Sequence, residues 1–161
     1  MKLSTLAALT ALLLSLPAPA EAQAEADLDA YWASVSRTVA EGDFAGYAAL
    51  YHDDAVLVSE ASQNSYSIRQ ALESWKQGFE DTREGRTSAR VEFRLTQRLN
   101  DAETAHETGI FRYFSKTPTG PESVAMVHFR GLLVKKGGEW LMIMEYQGGA
   151  ATDAEWAAAG R

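Results

Sequence analysis

Hydrophobic residues recur with two different periods along this chain. From Ala26 to Glu41 they fall at Leu28, Tyr31, Trp32, Val35 and Val39, the spacing of one helix face. Asp27 suits the start of that helix and Gly42 its end. Asp43 then caps a second helix whose stripe is Phe44, Tyr47, Ala48 and Tyr51. AVLVS (55–59) predicts a short strand, and EASQNSY (60–66) a polar loop. SIRQALESWKQGFE predicts a third helix. There Ser67 and Gln70 form a capping-box pattern, and Ile68, Leu72, Trp75 and Phe79 recur at helical spacing. REGRTS (83–88) reads as a loop.

Beyond that loop the period changes from 3.6 to 2. VEFRLTQRL (91–99), ETAHETGIFRYFS (103–115), SVAMVHFRGLLVKK (123–136) and EWLMIMEYQ (139–147) predict four strands. Asn100-Asp101, Pro118-Thr119-Gly120-Pro121 and Gly137-Gly138 supply the turns between them. Gly148-Gly149 should end the last strand. Thr152 and Glu155 offer a second capping box, for a short terminal helix carrying Trp156. The expected fold is α+β: a curved antiparallel four-strand meander plus one short N-terminal strand, covered by three N-terminal helices. A long meander curls because strands twist, and helices closing its concave face leave a conical pocket.

The last two strands carry the candidate chemistry. With Gly137-Gly138 as a two-residue hairpin loop, Lys136 faces Glu139. Counting outward puts Arg130 opposite Glu145 and His128 opposite Gln147. These four then share one face with Leu132, Val134, Leu141 and Ile143. The other face holds Val127, Phe129, Gly131, Leu133, Trp140, Met142, Met144 and Tyr146, and suits a core or a dimer interface. A slip of one residue would undo the arrangement. Two readings of the Arg130 and Glu145 pair stand side by side. It is a surface ion pair worth about 0–1 kcal/mol, or it lies in the pocket. There Glu145 would act as base or water-positioning group, Arg130 as its ionic partner and His128 as acid.

The N-terminus changes the picture of where the fold begins. Lys2 precedes an apolar run from Leu3 to Leu16, shorter than the roughly 20 residues of a bilayer span. Pro17 and Pro19 break it, and Ala-x-Ala sites follow that allow cleavage after Ala20, Ala22 or Ala24. This predicts a cleaved signal peptide over 1–24 and an exported, periplasmic protein. Residues 25–147 form one domain and 148–161 a short C-terminal tail or helix. The chain has no cysteine, which excludes a disulfide framework and thiol chemistry. Its net charge of −7 with no basic run argues against nucleic acid, or a membrane in the mature form, as partner.

The order of elements resembles the nuclear transport factor 2-like superfamily, most of all its SnoaL-like and ketosteroid-isomerase-like members. The resemblance spans about residues 27–147. It rests on DFAGYAALYHDDAVLVSE, on SIRQALESWKQGFE and on the closing GGEWLMIMEYQ. It implies a cone with an apolar pocket, often in a dimer. It also implies isomerases, cyclases, dehydratases, epoxide-opening enzymes and pure binders among the relatives. Epoxide-opening members use two carboxylates bridged by an Arg. Arg130 and Glu145 match two of the three, while His128 stands where the second carboxylate belongs. Isomerases of this fold use a carboxylate base near the first strand, for which Asp53, Asp54 or Glu60 would serve.

Other residues add less. His52-Asp53-Asp54 lacks His-x-His or His-Glu-x-x-His spacing, so neither a metal nor another cofactor is expected. Tyr113 and Tyr66 can donate to a ligand carbonyl, and Trp32 suits a pocket wall. The expected catalytic residues are Glu145, Arg130, His128 and Asp54, and the pocket residues Gln147, Tyr113, Trp32 and Tyr66. The expected function is binding a small apolar molecule in a homodimer, with cofactor-free isomerisation, dehydration or hydration. The alternative is a non-catalytic ligand-binding or assembly module.

Overall fold

The computed structural model describes residues 19–159. The apolar run Leu3–Leu16 lies outside them. The elements are α1 (Pro19–Glu41), α2 (Phe44–Ala48), β1 (Tyr51–Ser59), β2 (Asn64–Ser67), α3 (Ile68–Arg83), β3 (Ser88–Asn100), β4 (Thr104–Lys116), β5 (Ser123–Lys136), β6 (Glu139–Ala150) and α4 (Asp153–Ala158). One six-stranded sheet has the order β2-β1-β6-β5-β4-β3, in which β1 runs parallel to β6 and the other neighbours are antiparallel.

The α+β class and the four-strand meander agree with the pattern of the sequence. Six strands and four helices replace the expected five strands and three covering helices. The additional strand, β2, lies in the segment expected to be a loop. Its sequence NSYS carries one apolar side chain, so its pairing with Val56–Ser59 leaves no alternation to read. β1 begins at Tyr51, ahead of Ala55, and β6 continues through Gly148-Gly149 to Ala150. Ser67 stands at the start of α3 without a side-chain cap, because it is still paired with Val56 in the sheet. The Thr152 and Glu155 capping box forms completely.

α1 starts at Pro19 rather than near Asp27, and Ala24 is buried in the core beside Leu28. Cleavage after Ala20 or Ala22 would leave Ala24 in place; cleavage after Ala24 would remove it. The third turn of α1 is tied to the sheet by Asp27 and Lys135, 2.6 Å apart, and by Asp29 and Arg98 at 2.5 Å. The main core lies between α1, α3 and the concave sheet face, with Leu28, Leu57, Ile68 and Leu133 at 2% exposure or less. Burial of each such side chain contributes about 1.5–3 kcal/mol.

Gly137 and Gly138 both have positive φ, 59° and 91°, as a tight hairpin turn requires. Lys136 pairs with Glu139 and Leu133 with Met142, as the two-residue loop demands. The register then shifts, and Leu132 pairs with Met144. Ile143 is the extra residue of a β-bulge. Beyond it Gly131 faces Glu145, Arg130 faces Tyr146 and Phe129 faces Gln147. The bulge turns Glu145 and Gln147 onto the opposite sheet face from Arg130 and His128. A second bulge in β3, between Leu95 and Gln97, brings Arg98 opposite Glu107.

Candidate functional site

The concave face of the sheet and the helices over it enclose a cavity of about 490 Å³. Alternation along β5 points Val127 and Phe129 into it, and β3 and β4 add Val91, Phe93, Phe111 and Tyr113. α1 contributes Tyr31, Trp32, Val35 and Val39, while α3 contributes Trp75 and Phe79. Aromatic rings form a continuous wall: Trp32 and Phe93 have centroids 4.6 Å apart, and Trp32 and Phe129 5.3 Å. No Lys, Arg or His lines the cavity, and Glu145 is its one carboxylate among the described residues.

Glu145 is 9% exposed. Tyr51 donates to its Oε2 at 2.5 Å, and Gln147 Nε2 donates to its Oε1 at 2.7 Å. Tyr51 and Tyr47 hydroxyls are 3.0 Å apart, so a chain of three polar groups runs along one wall. Burial without a cation pushes the Glu145 carboxyl up, against the two donors that hold it down. Burial also raises the phenols of Tyr51 and Tyr47 well above the ordinary value. Tyr113, on β4 of the same sheet, is raised by the same cause. A carboxyl in such surroundings takes and releases a proton nearer neutral pH than a solvated one.

A second carboxylate, Glu107, is fully buried. It accepts from Trp32 Nε1 and, at 2.6 Å, from Arg98 Nε. Glu107, Gly131 and Glu145 fall in one transverse row of β4, β5 and β6, with both carboxylates on the concave side. They stand about two strand spacings, roughly 10 Å, apart. Met142 fills the space over Gly131, where a Cβ would come within 2.9 Å of its Cε. Arg98 therefore bridges Glu107 to Asp29 of α1 and not to Glu145. Among the described residues no cluster of three or more His, Cys, Asp or Glu is arranged to hold a metal ion.

A SnoaL-like domain model matches residues 28–147, most of the chain and all of the cavity. The chain belongs to the SnoaL-like domain family. With it comes the nuclear transport factor 2-like superfamily. No curated protein matches it by sequence. Solved structures share the fold at low identity. A nuclear transport factor 2-like protein of unknown function from Shewanella oneidensis superposes with a TM-score of 0.64 at 15% identity, covering 78% of this chain and 99% of that one. A ketosteroid isomerase-like protein from Erwinia carotovora atroseptica gives 0.59 at 17%, covering 79% and 95%. ActVI-ORFA from Streptomyces coelicolor gives 0.61 at 17%, covering 82% and 98%. The SnoaL-like cone is a ligand-binding fold, often dimeric, with varied isomerase and polyketide cyclase roles.

In this SnoaL-like domain the sequence-predicted residues separate into two groups. Glu145, Gln147, Tyr113 and Trp32 line the cavity. Arg130 and His128 do not join them, because the Ile143 bulge reverses the pairing. Arg130 is exposed on the convex face, its guanidinium 5.4 Å from the Tyr146 ring centroid. His128 Nε2 lies on that face 3.4 Å from Glu155 Oε1 of α4. Asp54 is in solvent with 87% of its side chain exposed, and Asp53 is exposed too. Glu60 accepts from Tyr146 at 3.0 Å outside the cavity. Tyr66 packs against the core without lining the cavity.

Sequence reasoning missed Tyr51, Tyr47 and Glu107. Tyr47 and Tyr51 are four residues apart and read as one helix stripe. In the structure one lies in the five-residue helix α2 and the other opens strand β1. Glu107 sits between apolar neighbours of the same strand face, Ala105 and Gly109. A charge at an inward position was its one visible signal.

Proposed function

We propose that this SnoaL-like protein binds a small, largely apolar, ring-containing molecule and performs cofactor-free proton transfer on it, with Glu145 as the base. The observation that carries the reading is a single buried carboxyl, oriented by Tyr51 and Gln147, in an aromatic cavity without a cation. A base of this kind suits isomerisation, dehydration or hydration. Tyr113 of β4, two strands away in the same sheet, is available as a donor to a ligand oxygen.

The test is proton exchange at carbon. 2-Tetralone, a bicyclic ketone with acidic C–H bonds, is incubated with the protein in deuterium oxide and followed by NMR. The expected outcome is protein-catalysed exchange that falls by about 10²–10⁴ in Glu145→Gln. Tetralone that binds but exchanges at the buffer rate would sink the catalytic reading and leave the binding module.

A second observation supports the alternative of an assembly module, and equally a homodimeric enzyme. Leu99, His106, Leu132, Met144 and Val56 form one transverse row across the convex face of β3, β4, β5, β6 and β1. Leu99, Leu132 and Val56 are 56%, 38% and 38% exposed, more apolar surface than a solvated sheet face needs. The reading is a two-fold contact through this row. Sedimentation should give a dimer that dissociates in Leu132→Glu; an unchanged mass would remove the row from the interface.

Export to the periplasm is part of the proposal. Lys2, the Leu3–Leu16 run and the Ala-x-Ala sites support it. N-terminal sequencing of the protein from a periplasmic fraction tests it, and an intact Met1 would refute it.

A further inference from the structure

The polar wall of the cavity has a property that none of its groups has alone: its hydrogen bonds can run in either of two directions. Tyr51 has one hydroxyl hydrogen. With Glu145 ionised, that hydrogen goes to Glu145 Oε2, at 2.5 Å. The 3.0 Å contact between the two phenols is then made by the Tyr47 hydrogen, pointing at the Tyr51 oxygen. Both phenolic hydrogens are committed, and Tyr47 offers the cavity lone pairs only.

A proton on Glu145 Oε2 reverses every step. The carboxyl O–H donates to the Tyr51 oxygen, Tyr51 donates to Tyr47, and the Tyr47 hydrogen is released toward the cavity. One proton taken up at one end of the chain appears as a donor at the other. No heavy atom needs to move, because the same two distances serve both directions. Tyr31 does not join the chain, since its hydroxyl donates to the Leu50 carbonyl at 3.3 Å.

We propose that Glu145, Tyr51 and Tyr47 form a reversible hydrogen-bond chain in which protonation of Glu145 converts Tyr47 into the donor for a ligand oxygen. The ligand class that follows is an aromatic or polycyclic carbonyl compound: one that Glu145 does not deprotonate binds with uptake of a proton from solvent, and one that it does deprotonate supplies that proton itself, so that Tyr47 meets the enolate oxygen. The inference rests on the cavity being the ligand site, as argued above. The titratable groups facing Glu145 are phenols: Tyr51 from β1, Tyr47 from α2 and Tyr31 from α1. Tyr113 of β4 lies across the cavity, and the carboxylate of Glu107 lies two strands away, paired with Arg98. β5 places Gly131 opposite Glu145, and α3 contributes no charged group to the lining. Among the described residues no cation lines the cavity to trap Glu145 in one state.

The experiment measures binding of two probes of equal shape class, naphthalene and 2-acetonaphthone, by fluorescence between pH 5 and 9. Naphthalene carries no oxygen and should bind with the same affinity throughout. 2-Acetonaphthone has an acceptor and no O–H, so it should bind best at low pH. Its affinity should fall roughly tenfold per unit once the pH passes the Glu145 titration. In Tyr47→Phe that pH dependence should vanish, leaving a 2-acetonaphthone profile as flat with pH as that of naphthalene in the same variant. A flat 2-acetonaphthone profile in the wild-type protein overturns the chain. So does a slope that survives Tyr47→Phe, since the protonated Glu145 carboxyl would then reach the ligand oxygen without the Tyr47 phenol. If naphthalene itself fails to bind, the cavity reading falls, and the inference with it. Glu145→Gln provides a second control, because a neutral side chain there should give a flat profile for both probes.

Discussion

Tyr51 donates to Glu145 across 2.5 Å, and that contact joins the first strand of the fold to the last. The strands run parallel at this point, with Leu57 paired to Glu145. Tyr51 is 94 residues from Glu145 in the chain, yet it sets the direction of the carboxyl. Removing the phenolic O–H takes a donor from the charged form of Glu145 while burial remains. In Tyr51→Phe the Glu145 titration should therefore move further up, which a carboxyl ¹³C NMR titration would detect. A downward move would show that Tyr51 acts mainly as a hydrogen-bond acceptor.

The raised Glu145 titration has a consequence for stability. In the folded protein the carboxyl holds its proton more tightly than in the unfolded chain, whose value is near 4.5. The stabilising contribution is full below that value and is lost as pH rises through the folded one. Glu145→Gln should thus gain on the wild-type protein as the pH is raised from 4 to 8. Parallel urea denaturation curves at the two pH values check this, and a constant difference would contradict it.

Glu107 and Arg98 call for a different outcome. Glu107 is fully buried while Arg98 keeps 24% of its side chain exposed. Arg98→Met leaves the Glu107 charge without its partner and should cost on the order of 3 kcal/mol, moderated by that exposure. Replacing both, as Arg98→Met with Glu107→Leu, should recover part of the loss. Thermal melts of the two single variants and the double variant close the cycle. Additive losses would show that the pair is not coupled.

Two glycines of the sheet should respond unequally to alanine. A Cβ at Gly131 comes too close only to the flexible end of Met142, at 2.9 and 3.0 Å, and makes an ordinary contact with Leu133 Cδ1 at 3.6 Å. Gly131→Ala should cost less than about 1 kcal/mol and push Met142 toward the cavity, weakening naphthalene binding. A Cβ at Gly109 collides with the backbone oxygen of Arg94. Gly109→Ala should cost about 2–3 kcal/mol, because a sheet backbone cannot swing aside. Equal melting shifts for the two would argue against the close approach of β4 to the β3 backbone at Gly109.

Arg130 tests the bulge directly. If Arg130 lies on the convex face, Arg130→Ala should leave naphthalene affinity within about twofold. A tenfold loss would return Arg130 to the cavity and undo the shifted register of β5 and β6.

Local chemistry made much of this fold readable. The cap at Asp43 located the second helix, helical spacing the third, the glycine pair 137–138 and the change of hydrophobic period the meander, and the cap at Thr152 the terminal helix. The Leu99 to Val56 row and the aromatic wall followed once the strands were paired. The residues around Glu145 were only half readable. A β-bulge adds one residue without a turn signal, and its effect is to exchange the two faces of everything beyond it. Counting from Gly137-Gly138 therefore brought Arg130 and His128 to Glu145, and the single extra residue Ile143 took them away. Composition and periodicity determined that this chain would build an apolar cone with a carboxyl near its last strand. Which groups face that carboxyl was decided by tertiary structure, because twist, bulges and a parallel β1 to β6 pairing are settled by packing across the sheet and not by neighbours in the chain.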